Sequence, residues 1–271
     1  MKALVACGIA PLYREASAQS EHIDEALFGM EVETLLWYGP WVKIQTPYRY
    51  EGYVSASCLV FDELRIAEWA ALPHRMVARP WADIQKEPKV QAETLASVAM
   101  GSLAALRAPA ETGQWVPVLL PDGREGFAIR NHLGPLPLPW REQGEGEFRE
   151  GILRAARGYL GTQYRWGGKT HQGIDCSGLA SMSYMLNGSY IYRDAKILPG
   201  YDIHEIKGKD IKKGDLIFFP GHVAIYMGDR RFIHSTSYAG TEGVGICGME
   251  PGSEGYRGDL MAIISAYGSL F

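Results

Sequence analysis

The 271-residue chain is poor in cysteine, with only Cys7, Cys58, Cys176 and Cys247. They form no C-x-x-C pair, and four thiols in so long a chain cannot supply a disulfide scaffold, so free thiols in a reducing compartment are expected. Long apolar runs are also missing. No stretch approaches the ~18 residues needed to span a bilayer, and the N-terminus through Glu25 lacks the basic-then-apolar order of a secretory leader. A cytoplasmic protein without a membrane partner is therefore expected. Neither sign of charge dominates: 27 Lys and Arg face 31 Asp and Glu, a net charge of -4. That balance gives no general attraction for a phosphate backbone, and no nucleic-acid partner is expected. No H-E-x-x-H motif or paired-cysteine motif marks a metal, so no metal and no cofactor are expected. What is there is a globular composition, 46% hydrophobic and 21% charged, long enough for two or three domains at ~100–200 residues each.

One pattern occurs twice in the first half. Glu21 precedes Gly29 by eight residues, and Gly52 follows Trp41 by eleven; Glu93 precedes Gly101 by eight, and Gly126 follows Trp115 by eleven. Each copy holds short alternating segments broken by Gly, Pro or Asp-Gly turns, the habit of small β-barrels. Trp41 and Trp115 read as barrel-core aromatics, and residues 62–75 as a connector of one or two helical turns. The proline-rich, charged stretch 134–150 reads as a surface linker. After it, Phe148, Ile152, Leu153, Ala156 and Leu160 recur at helical spacing before Gly161.

Chemistry concentrates beyond that helix. Asp175-Cys176-Ser177-Gly178-Leu179 opens a helical stretch to about Leu186, so Cys176 sits at a helix N-terminus with Asp175 placed to cap it. The positive end of a helix lowers a thiol pKa and favours the reactive thiolate. A thiol nucleophile needs a base, itself held by a further polar group. His222 opens one predicted strand and His234 lies on the next, twelve residues on, so antiparallel pairing sets them side by side, with His222 as base and His234 as its orienter. A histidine stabilises an imidazolium less than an acid does, which points to neutral or mildly alkaline activity. Cys7, Cys58 and Cys247 read as structural thiols, and His22, His74, His132, His171 and His204 as ordinary polar groups.

Several segments carry a family resemblance. Tyr164-x-Trp166-Gly167-Gly168, Asp175-Cys176-Ser177-Gly178-Leu179, Arg193-Asp194, Lys212-x-Gly214-Asp215-Leu216-x-Phe218-Phe219, Gly221-His222-Val223-Ala224-Ile225-Tyr226 and Ile233-His234-Ser235 resemble the NlpC-type papain-like cysteine peptidases of bacterial peptidoglycan. The resemblance implies an α+β fold, with a helix carrying the Cys packed on an antiparallel sheet at 148–271. Two small SH3-like barrels would precede it, at 1–62 and 72–134. The paired barrels narrow the likeness to γ-D-glutamyl-L-diamino-acid endopeptidases. Such enzymes cut the γ-D-Glu–diamino acid bond of murein tripeptides or tetrapeptides that carry a free N-terminal L-Ala. By position the resemblance makes Cys176 the nucleophile, His222 the base and His234 the orienter. It sets Tyr164 beside the oxyanion and gives Asp175 and Ser177 to the L-Ala–D-Glu portion. Tyr50 and an acid, Glu21 or Glu25, would bind the free amine. Ala195 stands where many relatives have Ser after Arg-Asp. A monomer acting in wall-peptide recycling is expected. The alternatives are a zinc hydrolase using Cys176, His222 and His234, a thiol-dependent N-acetylmuramoyl-L-alanine amidase, and a non-catalytic wall-peptide binder.

Overall fold

Period-two alternation of buried residues with more accessible ones, as in Trp41–Gln45 and Glu125–Ile129, builds the N-terminal half from strands. The computed structural model describes residues 1–108 and 113–271, so 109–112 of the second copy lie outside the described residues. Strands β1 (Lys2–Val5), β2 (Ile9–Tyr13), β3 (His22–Leu27), β4 (Glu31–Tyr38), β5 (Trp41–Gln45), β6 (Glu51–Ser55) and β7 (Leu59–Val60) form one sheet. After helix α1 (Glu63–Ala71), a second sheet follows from β8 (His74–Val77), β9 (Trp81–Gln85), β10 (Thr94–Ala99), β11 (Leu103–Leu106), β12 (Trp115–Leu119), β13 (Glu125–Ile129) and β14 (Leu133–Gly134). Their orders, β3-β2-β6-β5-β4-β1-β7 and β10-β9-β13-β12-β11-β8-β14, are the same permutation. The repeat is therefore one of topology. Gly29 and Gly101 keep their place because both turn the chain at positive φ, 76° and 89°.

Two expectations fail in this half. Trp41 and Trp115 are half-buried and lie outside the core, where Ala, Val, Leu and Ile predominate. Trp41 instead meets Tyr13 edge-on, with ring centroids 5.6 Å apart. Helix α1 is more than a connector. Capped by Asp62, it buries Trp69 in a cluster with Leu4 and Phe28 of the first copy and Val77 and Val98 of the second. The shared cluster explains why Met1–Leu136 forms one compact unit.

The second unit is Pro137–Phe271. Helices α2 (Glu145–Gly158) and α3 (Cys176–Met185) accompany a six-stranded antiparallel sheet of order β17-β22-β18-β19-β20-β21. Its strands are β17 (His204–Ile206), β18 (Leu216–Phe219), β19 (His222–Gly228), β20 (Arg231–Thr236), β21 (Gly243–Gly248) and β22 (Ala266–Ser269), with β15 (Lys169–Thr170) and β16 (Gly173–Ile174) forming a small ribbon before α3. The unit begins earlier than 148, because 137–144 is held rather than free. Trp140 donates to Asp202 at 3.0 Å, and its ring lies 5.5 Å from that of Phe271. Asp215 of the Lys-x-Gly-Asp-Leu motif anchors α2, accepting from the buried Arg149 at 2.7 Å. Among the described residues, no helix is long and apolar enough to cross a membrane.

Candidate active site

Cys176 is the first residue of α3 and is 7% exposed. Asp175 caps the helix, and its carboxylate is engaged on both oxygens. Oδ1 accepts from Gly178 N (2.6 Å), Ser177 Oγ (3.2 Å) and Arg193 Nη1 (3.0 Å); Oδ2 accepts from Gly167 N (2.8 Å) and Arg193 Nη2 (3.1 Å). Arg193 is 1% exposed and also donates to Ser177 Oγ at 2.7 Å and to the Gly168 carbonyl at 3.3 Å. The side chains of Asp175 and Ser177, which the resemblance gives to substrate, thus have an immediate task within the protein. They lock the first turn of α3 to the loop before β15. That loop comes so near that a Cβ on Gly178 would stand 2.2 Å from the Gly168 carbonyl oxygen, which explains the glycine two residues after the cysteine.

The histidines meet by sheet register. Ile225 pairs with Ile233 and Tyr226 with Phe232, which puts His222 and His234 on one face as diagonal neighbours. His222 Nε2 and His234 Nδ1 lie 2.8 Å apart. His222 is half-buried and His234 is 0% exposed. Burial, with Arg257 adding to it, pushes His222 down to about 4, and burial with His222 and Arg257 pushes His234 down to about 3. Both are neutral imidazoles at neutral pH.

The expected lowering of the Cys176 pKa is not found. Burial and the Asp175 carboxylate push the thiol up to about 11, against the opposing pull of backbone hydrogen bonds from Val223 and Ser177 and of Arg193. Desolvation outweighs the helix end because the sulfur is enclosed. The resting pair is a neutral thiol and a neutral imidazole. Burial likewise raises the Tyr164 phenol, with Cys176 and Asp175 acting in the same direction, so Tyr164 keeps its proton and is available as a donor.

Cys247 escaped the sequence reading as a structural thiol. It lies on β21, where Phe232 pairs with Cys247 and His234 with Gly245, and its Sγ is 3.4 Å from His234 Nε2. The signal was in the spacing: the register of two adjacent strands sets Cys247 on the face of His234. A small cleft is lined by Ser177, Tyr192, Asp194, Lys196, Tyr201 and Val223. Among the described residues, no group of three or more His, Cys, Asp or Glu is arranged to hold a metal ion.

In the first unit, Glu21 is surface-exposed and pairs with Arg14 at 2.5 Å. The second copy repeats that pair as Glu93 with Lys86 at 2.8 Å. Glu25 is different, a carboxylate only 3% exposed on β3, next to the fully buried Asp24 that accepts from Tyr48. The register positions of Asp24 and Glu25, opposite Leu12 and Pro11, are held in the second copy by Ala96 and Ser97, opposite Ile84 and Asp83. Tyr50 is half-buried, and its backbone N–H donates to Thr46 Oγ1 at 3.1 Å.

Residues 161–256 match the NlpC/P60 family model. The whole chain is 38% identical over 275 aligned residues to dipeptidyl-peptidase 6 of Lysinibacillus sphaericus, covering 100% of both. It is 28% identical to a γ-D-glutamyl-L-lysine dipeptidyl-peptidase of Bacillus cereus, covering 78% of this chain and 66% of that one. In fold it matches the crystal structure of an NlpC/P60 family protein from Bacillus cereus with a TM-score of 0.79 at 21% identity, over 98% of both chains. With a thiol heading α3, a bonded pair of histidines on the adjoining sheet and full-length likeness to a named peptidase, the chain belongs to the NlpC/P60 family of cysteine peptidases.

Proposed function

We propose that the protein hydrolyses the γ-D-Glu–diamino acid bond of peptidoglycan peptides bearing a free N-terminal L-Ala, releasing L-Ala-D-Glu. The observation that carries this reading is the hydrogen bond between His222 of β19, the strand whose Val223 also bonds Cys176, and His234 of the neighbouring β20. Since His222 Nε2 faces His234, Nδ1 is the nitrogen left for the thiol. As Cys176 Sγ attacks the γ-carbonyl carbon of D-Glu, its proton passes to His222 Nδ1, and His234 holds the ring. Tyr164 donates to the oxyanion. Collapse returns the proton to the leaving amine and leaves a thioester, which water cleaves with His222 again as base.

The two N-terminal sheets are read as SH3-like barrels, of which only the first is specialised for substrate. Glu21 belongs to an ion pair that both copies share, whereas the buried Glu25 has Ser97 as its counterpart, so Glu25 is the acid assigned with Tyr50 to the substrate ammonium. A peptide with a free L-Ala amine has already been cut from its glycan, which places the enzyme after an amidase-type reaction, in recycling. The names of the relatives support a dipeptidyl-peptidase.

Mass spectrometry of products from L-Ala-γ-D-Glu-diaminopimelate tests the reading. Wild type should give L-Ala-D-Glu and free diaminopimelate, and Cys176→Ala should give neither. Release of intact tripeptide from N-acetylmuramoyl-tripeptide, without cleavage of the free tripeptide, would establish the amidase instead.

A further inference from the structure

We propose that Cys247 is a positioning residue for catalysis, its sulfur accepting the Nε2–H of His234 and so fixing the tautomers of both active-site histidines. The proposal rests on the assignment of Cys176 and His222 as nucleophile and base. For His222 Nδ1 to accept the thiol proton, that nitrogen must carry a lone pair, which leaves the ring proton of the neutral imidazole on Nε2. That proton points to His234 Nδ1, 2.8 Å away. His234 Nδ1 is then the acceptor, and the proton of its own neutral ring must sit on Nε2. The partner the structure gives that nitrogen is Cys247 Sγ at 3.4 Å.

His234 is 0% exposed and Cys247 4% exposed, so no bulk water stands ready to replace the sulfur. Burial raises the Cys247 pKa above its ordinary value, which keeps it an uncharged thiol. A neutral sulfur can accept the N–H without the charge penalty of a buried carboxylate. The sulfur is enclosed from another side as well, because a Cβ built on Gly255 would stand 3.4 Å from it. His222, His234 and Cys247 thus form a chain of donors and acceptors with a single proton direction that leaves His222 Nδ1 able to accept the proton of Cys176. The opposite direction would put a proton on His222 Nδ1 and leave that nitrogen unable to deprotonate the thiol.

Removing the acceptor leaves a buried N–H without a partner and frees His234 to exchange tautomers. Cys247→Ala should lower kcat on L-Ala-γ-D-Glu-diaminopimelate about tenfold, the loss of one hydrogen bond, and leave KM unchanged. Cys247→Ser restores an acceptor and should recover most of that loss. A Cys247→Ala enzyme with wild-type kcat would overturn the proposal, as would a serine variant no better than alanine. Thermal unfolding establishes that each variant is folded. A second measurement needs no substrate: long-range 1H–15N spectra of histidine in the inert Cys176→Ala protein. His234 should be the Nε2–H tautomer there and a mixture once Cys247→Ala is added. An unchanged His234 tautomer would reject the role of Cys247 even if the substrate assignment holds, and absence of any tripeptide turnover by wild type would reject the substrate while leaving this spectrum to decide.

Discussion

Neutral protonation states at Cys176 and His222 determine what each side chain contributes. Proton transfer must accompany attack, because the thiol sits at about 11 and the imidazole at about 4, and no thiolate–imidazolium pair waits in the free enzyme. Cys176→Ala should abolish turnover with the fold retained. His222→Ala should lose nearly as much, on the order of 10⁴–10⁶-fold in kcat, since nucleophile and base act as a unit. His234→Ala should lose less, because it orients and transfers no proton to substrate; equal loss would exchange the roles of the two histidines. The pH profile follows with a definite sign. Below its pKa His222 is protonated and cannot accept the thiol proton, so kcat/KM should be flat through neutrality and fall only as pH drops through about 4. An acid limb near the ordinary ~6.5 would show that His222 is more solvated than its burial implies. The residue types were legible because Cys and His are scarce and because Cys176 and His222 stood at the openings of predicted elements, with His234 on the next strand. Their protonation states were not, since they come from burial by segments far apart in the chain.

At the scale of the element, the head of α3 depends on one buried ion pair. Arg193 and Asp175 are 1% and 6% exposed, and removing one partner of such a pair costs about 3–5 kcal/mol. Arg193→Met should lower unfolding free energy by about 3 kcal/mol, the low end of that range, because Asp175 keeps the donors of Gly167, Ser177 and Gly178. Urea denaturation measures it, and a midpoint within error of wild type would contradict it. Arg193-Asp194 could be quoted from the sequence, but only packing shows that Arg193 braces the cap of the nucleophile's helix. The same division holds in the first unit. Gly29 and Gly101 revealed the repeat, since a positive-φ turn is a local demand that leaves a glycine behind. The core role of Trp69 was hidden, because a tryptophan in a short amphipathic helix does not announce which sheets will close over it.

For the whole molecule, the question is why a peptidase carries two copies of one sheet. Their strand orders are identical, so differences between them report what the first copy does beyond folding. Asp24 and Glu25 stand in buried positions where the second copy has Ala96 and Ser97, a substitution pattern that folding alone does not require. On the proposed assignment of Glu25 to the ammonium of L-Ala, the charge of that amine is a condition of turnover. Losing a buried charged contact of this kind costs about 2–5 kcal/mol, on the order of 30- to several-thousand-fold in kcat/KM. N-acetyl-L-Ala-γ-D-Glu-diaminopimelate should be cleaved that much more slowly than the free tripeptide, and wall peptide still joined to glycan should resist. Glu25→Gln should shrink the difference between the free and acetylated peptides, while Glu21→Gln, which breaks a surface pair present in both copies, should leave it intact. Equal rates on the two peptides would show that neither acid reads the amine and would leave both sheets with an anchoring role, in which case intact sacculi should be bound and digested.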